Sequence, residues 1–143
     1  MTSQSGPVTP VPPRRVEVRH LKGQAFEVSV RGHTLITDQP VEADGDDRGP
    51  TPVEVLVVSL ASCVAYYAGR FMERHHLDRE HLRVLADFTM ADDRPARVAR
   101  VHLRVLLPDE LSRSRLEALR AVVDHCTVHN TLRQPPEIRI EFG

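Results

Sequence analysis

GPTPVEVLVVSLASCVAYYAG, residues 49–69, is the stretch of sequence that decides the fold. Thr51 can cap a helix, Pro52 suits its first turn, and Glu54 complements the positive end of the helix dipole. Residues 55–68 are apolar on nearly every face of this helix, so it must be buried on all sides. A chain of 143 residues has difficulty surrounding one helix completely. We therefore expect a partner subunit to cover part of it.

Segments in which apolar and polar residues alternate predict the strands on both sides of this helix, which runs to about Arg74. A second long helix, amphipathic in pattern, is expected between Pro108 and Cys126. The predicted strands cover residues 15–19, 25–30 and 33–37 before the first helix, and 82–90, 98–107 and 137–142 after it. The predicted order is βββ-α-ββ-α-β, which belongs to the α+β class.

Length and charge limit the kinds of protein that this chain can be. The length suits one domain at residues 14–143, preceded by a flexible, proline-rich tail at residues 1–13. The 19 basic and 20 acidic residues are mixed along the chain, which leaves no basic stripe for nucleic acid and no polybasic patch for a membrane. The chain start lacks a secretory signal pattern, and uninterrupted apolar runs are too short for a membrane span. We expect a cytoplasmic protein.

Two cysteines, Cys63 in the first long helix and Cys126 at the end of the second, are the candidate functional residues. A pair of cysteines in an intracellular chain indicates free thiols or redox chemistry more often than a structural disulfide. The alternative is that both are buried as small hydrophobic residues. His125 and His129 flank Cys126, but their spacing matches no common zinc motif. No metal and no cofactor is predicted.

The two cysteine segments resemble those of a known family. The first, residues 49–63, has a proline, an acidic residue, an apolar helix, and then a small residue followed by Cys63. The second, residues 124–132, has Cys126 followed by a short polar run ahead of a final strand. Their order and separation, together with the predicted elements, resemble the OsmC/Ohr family over about residues 15–143, and more closely its OsmC-like branch.

This resemblance implies an intertwined homodimer with a long buried central helix, and active sites at the dimer interface. It also implies that Cys63 attacks a hydroperoxide and becomes a sulfenic acid. Cys126 then condenses with it to a disulfide, which a dithiol reductant reopens. An arginine that holds the thiolate completes the site, and Arg19 is the residue chosen for this role. Lys22 and Arg70 are the other cations considered.

One position departs from the peroxidase members of the family, in which a glutamate directly follows the proline and orients the arginine. Val53 stands at that position here, and Glu54 is one residue later. In an ideal helix, Glu54 lies on the side opposite Cys63, whereas Val53 lies about 80° from it. The substrate and the retention of peroxidase activity therefore stay open at this point.

Two functions from different classes fit these features. The first is a thiol-dependent, peroxidase-like redox protein that reduces organic hydroperoxides through Cys63 and Cys126 in oxidative-stress defence. The second is a non-enzymatic protein of the same fold that binds an apolar ligand or a metal in the pocket at the dimer interface. A hydroperoxide-consumption assay distinguishes the two.

Overall fold

The structure is a computed structural model that describes residues 14–143. The proline-rich tail at residues 1–13 lies outside the described residues. The chain divides into two compact units, with the boundary between Pro52 and Val53. The single domain at residues 14–143 stays a prediction.

An antiparallel meander of three strands forms the first unit: β1 (Glu17–Lys22), β2 (Ala25–Val30) and β3 (His33–Thr37). Arg31 and Gly32 connect β2 to β3 with φ angles of 49° and 79°. Two successive left-handed residues match the twist of a two-residue hairpin, and glycine adopts this conformation without steric cost. This hairpin fixes the register in which Val30 lies opposite His33.

A buried carboxylate, that of Asp38, organises the loop that follows β3. Its side chain accepts hydrogen bonds from the backbone N–H of Gln39 at 2.7 Å and of Arg48 at 3.1 Å. Burial alone would raise the pKa of Asp38, but the backbone N–H groups that face the carboxylate outweigh it and hold the pKa below its usual value. Gly49 lies so close to the carbonyl of Ile36 that a Cβ would collide with it.

The second unit is built on the long helix α1 (Pro52–Arg74), whose bounds match those expected from the sequence. An antiparallel pair, β4 (Arg83–Met90) and β5 (Val98–Leu106), and the helix α2 (Arg113–Val123) follow it. Two apolar cores join these elements, and the first is formed by Ala68, Phe71 and Met72 of α1 with Leu119 of α2. The mixed architecture confirms the α+β class.

Helix α1 is buried on one side rather than all round within this chain. The buried side carries Val57, Leu60, Val64, Ala68, Gly69, Phe71 and Met72. Exposed apolar side chains on the other sides include Leu56, Val58 and Tyr66. By length and composition alone, α1 could also cross a membrane, contrary to the expectation from uninterrupted apolar runs. Core helices pass the same test, and α1 contributes to both apolar cores of its unit.

The predicted order fails at its end. Residues 127–133, to which the sequence pattern assigns no element, form a short helix α3 (Thr127–Arg133). The strand predicted at residues 137–142 has no strand partner among the described residues, and its apolar side chains are exposed, with Phe142 at 95%. A strand with one apolar face forms only where another strand or a core covers that face. Helix α2 also begins later than expected, because Ser112 caps it by accepting a hydrogen bond from the Arg115 N–H at 3.3 Å.

Candidate functional site

Both cysteines lie in the second unit, and both are free thiols. Cys63 is in the middle of α1 and is partly exposed. Cys126 follows α2, occupies the N-cap position of α3, and is 0% exposed. The residue just before a helix adopts an extended conformation, so the Cys126 side chain leaves the line of α2 and turns into the core.

The fold brings the two cysteines into one apolar cluster, although 63 residues separate them. Its buried members are Leu60, Val64 and Cys126, and Cys63 packs against them. Leu60 and Val64 flank Cys63 on α1 and pack against Cys126. The same stretch of this helix therefore carries the partly exposed Cys63 thiol and the residues that bury Cys126. The partly buried residues that complete the cluster are Tyr67, Val84, Val101, Leu103, Val105, Val123 and Val128.

Burial raises the pKa of the Cys126 thiol above its ordinary value of 9.0, because the thiolate would lose its water. Hydrogen bonding to the Cys63 side chain, and any negative charge on it, raise this pKa further. The backbone N–H groups of Val128 and His129 act in the opposite direction. They face the sulfur without forming a capping hydrogen bond to it. The net result is a Cys126 that holds its proton beside Cys63.

A hydroxyl pair connects the helix that carries Cys63 to the helix that follows Cys126. The Tyr67 hydroxyl lies 3.0 Å from the Thr127 hydroxyl, and Thr127 is the first residue of α3. The ring of Tyr67 also meets that of Tyr66 edge to face, with centroids 5.4 Å apart. This arrangement fixes the first turn of α3 against α1 at the place where Cys126 enters the core.

A cavity of about 320 Å³ lies on the C-terminal half of α1. Residues three and four apart share a face of a helix, which explains why Tyr66, Arg70 and Arg74 meet at one cavity. Its lining consists of Tyr66, Tyr67, Arg70, Arg74, Val122 and His125. The cavity thus begins one helical turn beyond Cys63 and ends at the residue before Cys126.

Arg19, the third predicted site residue, lies on β1 in the first unit. It is opposite Glu27 of β2, and its guanidinium donates to the Glu27 carboxylate at 2.8 Å. Arg19 therefore already has a carboxylate partner. Lys22, at the end of β1, is exposed. The role of either cation toward Cys63 stays a prediction.

Sequence reasoning missed the functional potential of Arg74 and of the contact between Tyr67 and Thr127. Part of this was visible in the sequence, since two arginines four residues apart follow two adjacent tyrosines on one helix. The partner of Tyr67 was not visible, because α3 was not predicted. Among residues 14–143, no group of three or more His, Cys, Asp or Glu residues is arranged to hold a metal ion.

Comparison with protein families gives a match to the model described as OsmC-like protein, over residues 45–141. The chain belongs to the OsmC-like protein family. The match covers both cysteines and all the elements of the second unit. Comparison of the sequence with curated proteins gives no significant match.

Solved structures support the OsmC-like fold. A Psychrobacter arcticus protein, named for osmotic stress induction and a detoxification response, aligns with a TM-score of 0.76 at 22% identity, covering 87% of this chain and 90% of its own. The Legionella pneumophila organic hydroperoxide resistance protein OsmC aligns at 0.64 and 15% identity, with 87% and 92% covered. The organic hydroperoxide resistance protein OhrB of Bacillus subtilis aligns at 0.61 and 16%, with 86% and 92% covered. At these identities the likeness establishes the fold.

Proposed function

We propose that this OsmC-like protein is a thiol-dependent peroxidase that reduces organic hydroperoxides through Cys63 and Cys126 in defence against oxidative stress. The observation that carries the proposal is the packing of the two free thiols in one apolar cluster. Two thiols in contact can form a disulfide with little movement of the backbone. The names of the Legionella and Bacillus proteins, which share this fold, suggest hydroperoxides as the substrate class.

The proposed reaction uses the two thiols in sequence. The Cys63 thiolate attacks one oxygen of the hydroperoxide; the O–O bond breaks, an alcohol leaves after taking up a proton, and Cys63 becomes a sulfenic acid. The Cys126 sulfur then attacks the Cys63 sulfur, and water leaves as the disulfide forms. A dithiol reductant reopens this disulfide by thiol exchange and is itself oxidised to a disulfide.

The different environments of the two thiols support this order. Cys63 is partly exposed and is open to a substrate, whereas Cys126 is fully buried. Burial and the neighbouring Cys63 raise the pKa of Cys126, so Cys126 stays protonated while Cys63 reacts. A buried neutral thiol is a poor first nucleophile but is well placed to resolve a sulfenic acid beside it.

We further propose that the protein acts in the cytoplasm as a homodimer. Within one chain, Leu56 and Val58 of α1 and the alternating apolar residues at 138–142 are exposed. Burial of such surface is the main favourable term in subunit association. A second copy that covers these residues would bury more of the N-terminal half of α1, as its apolar sequence leads us to expect.

Consumption of hydroperoxide tests the proposed activity. The reduced protein with dithiothreitol should consume cumene hydroperoxide faster than hydrogen peroxide. Cys63→Ser should abolish turnover, and Cys126→Ser should permit one oxidation of Cys63 that stalls at sulfenic acid or proceeds to over-oxidation. A Cys63→Ser variant as active as the parent would show that Cys63 is not the thiol that attacks the hydroperoxide. A parent without turnover on either peroxide would favour the alternative, a binding protein that does not catalyse a reaction.

A further inference from the structure

The α1 cavity is lined by two arginines, Arg70 and Arg74, of which only Arg70 has a carboxylate partner among the described residues. Arg70 and Arg74 lie four residues apart, where like charges on a helix repel. Arg70 lies 4.0 Å from a carboxylate oxygen of Glu73, which also meets Arg79 at 3.6 Å. Arg74 makes no ion pair within residues 14–143. The cavity thus has an excess of positive charge that no acidic side chain of the described chain balances.

The wall of the same cavity is aromatic and apolar. Tyr66 and Tyr67 meet at an interplanar angle of 84°, so that the two rings form a corner, and Val122 contributes an aliphatic surface. The ring of His125 adds a polar group without a hydrogen-bond partner among the described residues. A cavity of about 320 Å³ lies at the lower end of the range for small-molecule sites.

We propose that this cavity binds a carboxylate-bearing organic molecule. The planar guanidinium of arginine matches a carboxylate through two parallel hydrogen bonds, and both Arg70 and Arg74 line the cavity. The tyrosine corner and Val122 cover the apolar body of the molecule. Inorganic phosphate has charge but no apolar body, so it could pair with the arginines but would leave the tyrosines and Val122 without a contact.

The cavity lies on the same helix as Cys63, toward its C-terminal end. Arg70 is seven residues after Cys63, which puts it about 10 Å along the helix axis and within about 20° of the same side. Cys63 does not line the cavity, so a molecule anchored at Arg70 lies on the same side of α1 as Cys63 but about two helical turns away. Arg70 is thus assigned to the ligand, and its role toward the Cys63 thiolate stays a prediction.

Direct binding tests this inference in the absence of any hydroperoxide, so its outcome is separate from that of the proposed activity. Calorimetry on the reduced full chain should show 4-phenylbutanoate binding about tenfold more tightly than its neutral isostere 4-phenylbutanamide. Inorganic phosphate should bind more weakly than 4-phenylbutanoate. Equal affinity for the acid and the amide, no binding of either, or tighter binding of phosphate would overturn the proposal.

Single substitutions locate the binding. Arg70→Gln and Arg74→Gln should each weaken 4-phenylbutanoate binding about tenfold and leave the weak binding of the amide unchanged. Arg113→Gln is the matched control, since Arg113 is 95% exposed on α2, pairs with Glu117 four residues later, and does not line the cavity. Circular dichroism verifies that each variant is folded. Unchanged affinity in both cavity variants, or an equal loss in the Arg113→Gln control, would contradict the assignment.

Discussion

The hydroxyl of Tyr67 lies 3.0 Å from the hydroxyl of Thr127, and this contact joins the middle of α1 to the first residue of α3. Tyr67 is four residues after Cys63, and Thr127 directly follows Cys126. The side chains that place the two helices therefore neighbour the two thiols in sequence and in space. A change in this contact should alter the geometry of the thiol pair as well as the stability of the fold.

Removal of the Tyr67 hydroxyl should slow disulfide formation. Tyr67→Phe keeps the ring but loses the bond to Thr127, so we expect a loss of roughly 0.5–1 kcal/mol in the free energy of unfolding. Loss of this tether should also lower the rate at which Cys126 condenses with oxidised Cys63. Urea denaturation gives the free energy of unfolding, and stopped-flow measurement of free thiols gives the rate of disulfide formation. Tyr66→Phe is the control, because the Tyr66 hydroxyl has no partner among residues 14–143, and an equal effect there would contradict the prediction.

Alkaline pH should destabilise the protein through Cys126. Its pKa in the folded state is raised, mainly by burial and then by Cys63. The folded state therefore keeps its proton at a pH where the unfolded state has lost it. This contribution is fully present below the ordinary thiol pKa of 9.0 and is lost as pH rises through the folded value. Thermal denaturation from pH 7 to pH 10.5 should show a steeper alkaline fall in Tm for the parent than for Cys126→Ala. Parallel profiles would contradict the assignment.

Substitution of one exposed apolar residue near the C-terminus should weaken the proposed homodimer. Ile140 is 74% exposed within one chain, and we expect the second copy to bury it. Ile140→Asp should raise the dissociation constant of the dimer by about tenfold or more, because a buried aspartate without a partner is costly. Sedimentation at several concentrations measures this. Arg139→Asp, at an exposed charged residue one position earlier, is the control. A parent that is a stable folded monomer at micromolar concentration would refute the dimer.

A carboxylate at position 53 should accelerate hydroperoxide reduction. Val53 occupies the first turn of α1 where peroxidase members of the family have glutamate, and it is 36% exposed. We expect Val53→Glu to orient the arginine proposed to hold the Cys63 thiolate, and one charge-assisted hydrogen bond corresponds to about a tenfold gain in rate. The control is Ala118→Glu, since Ala118 is exposed on α2 and lies outside the cluster that holds the two cysteines. Equal rates for both variants would show that position 53 is not responsible.

Arg19 is the arginine chosen from the sequence to hold the Cys63 thiolate. If it has this role, it must leave Glu27 before Val53→Glu can accelerate hydroperoxide reduction. Its guanidinium now meets Glu27 at 2.8 Å. Arg19→Gln combined with Val53→Glu should therefore abolish the acceleration. If the double variant keeps the full gain, another cation supports the thiolate.

Periodicity and helix punctuation predicted most of the fold. The bounds of β2, β3 and α1 match expectation, because alternation, the Arg31–Gly32 turn and Pro52 are signals that a short segment carries by itself. The order βββ-α-ββ-α was likewise accessible. The start of α2 was misplaced because Ser112 caps it, in preference to a start near Pro108. The prediction of a strand at residues 137–142 was wrong for the described chain. An alternating segment forms a strand only when another strand pairs with it, and the segment's own sequence does not show whether such a partner exists.

The site was predictable only as far as the two cysteines. Their motifs indicated that they act together, and the structure places them in one cluster. The difference between them was not predictable, because the complete burial of Cys126 depends on β5, α1 and α2 meeting around it. The contact between Tyr67 and Thr127 was equally inaccessible, as it requires α3, whose seven residues give too short a pattern to recognise.

The burial of Cys126 gives the proposed catalytic cycle a direction in its reductive half. A reductant can reach only the sulfur of Cys63 in the disulfide, so the mixed disulfide must form on Cys63 and Cys126 must depart. A departing thiol with a raised pKa leaves slowly, which makes the oxidised protein a persistent species. Weakly reducing or bulky thiols would therefore leave the Cys63–Cys126 disulfide intact. The concentration of a compact dithiol would control the rate at which the protein is reduced for another turnover.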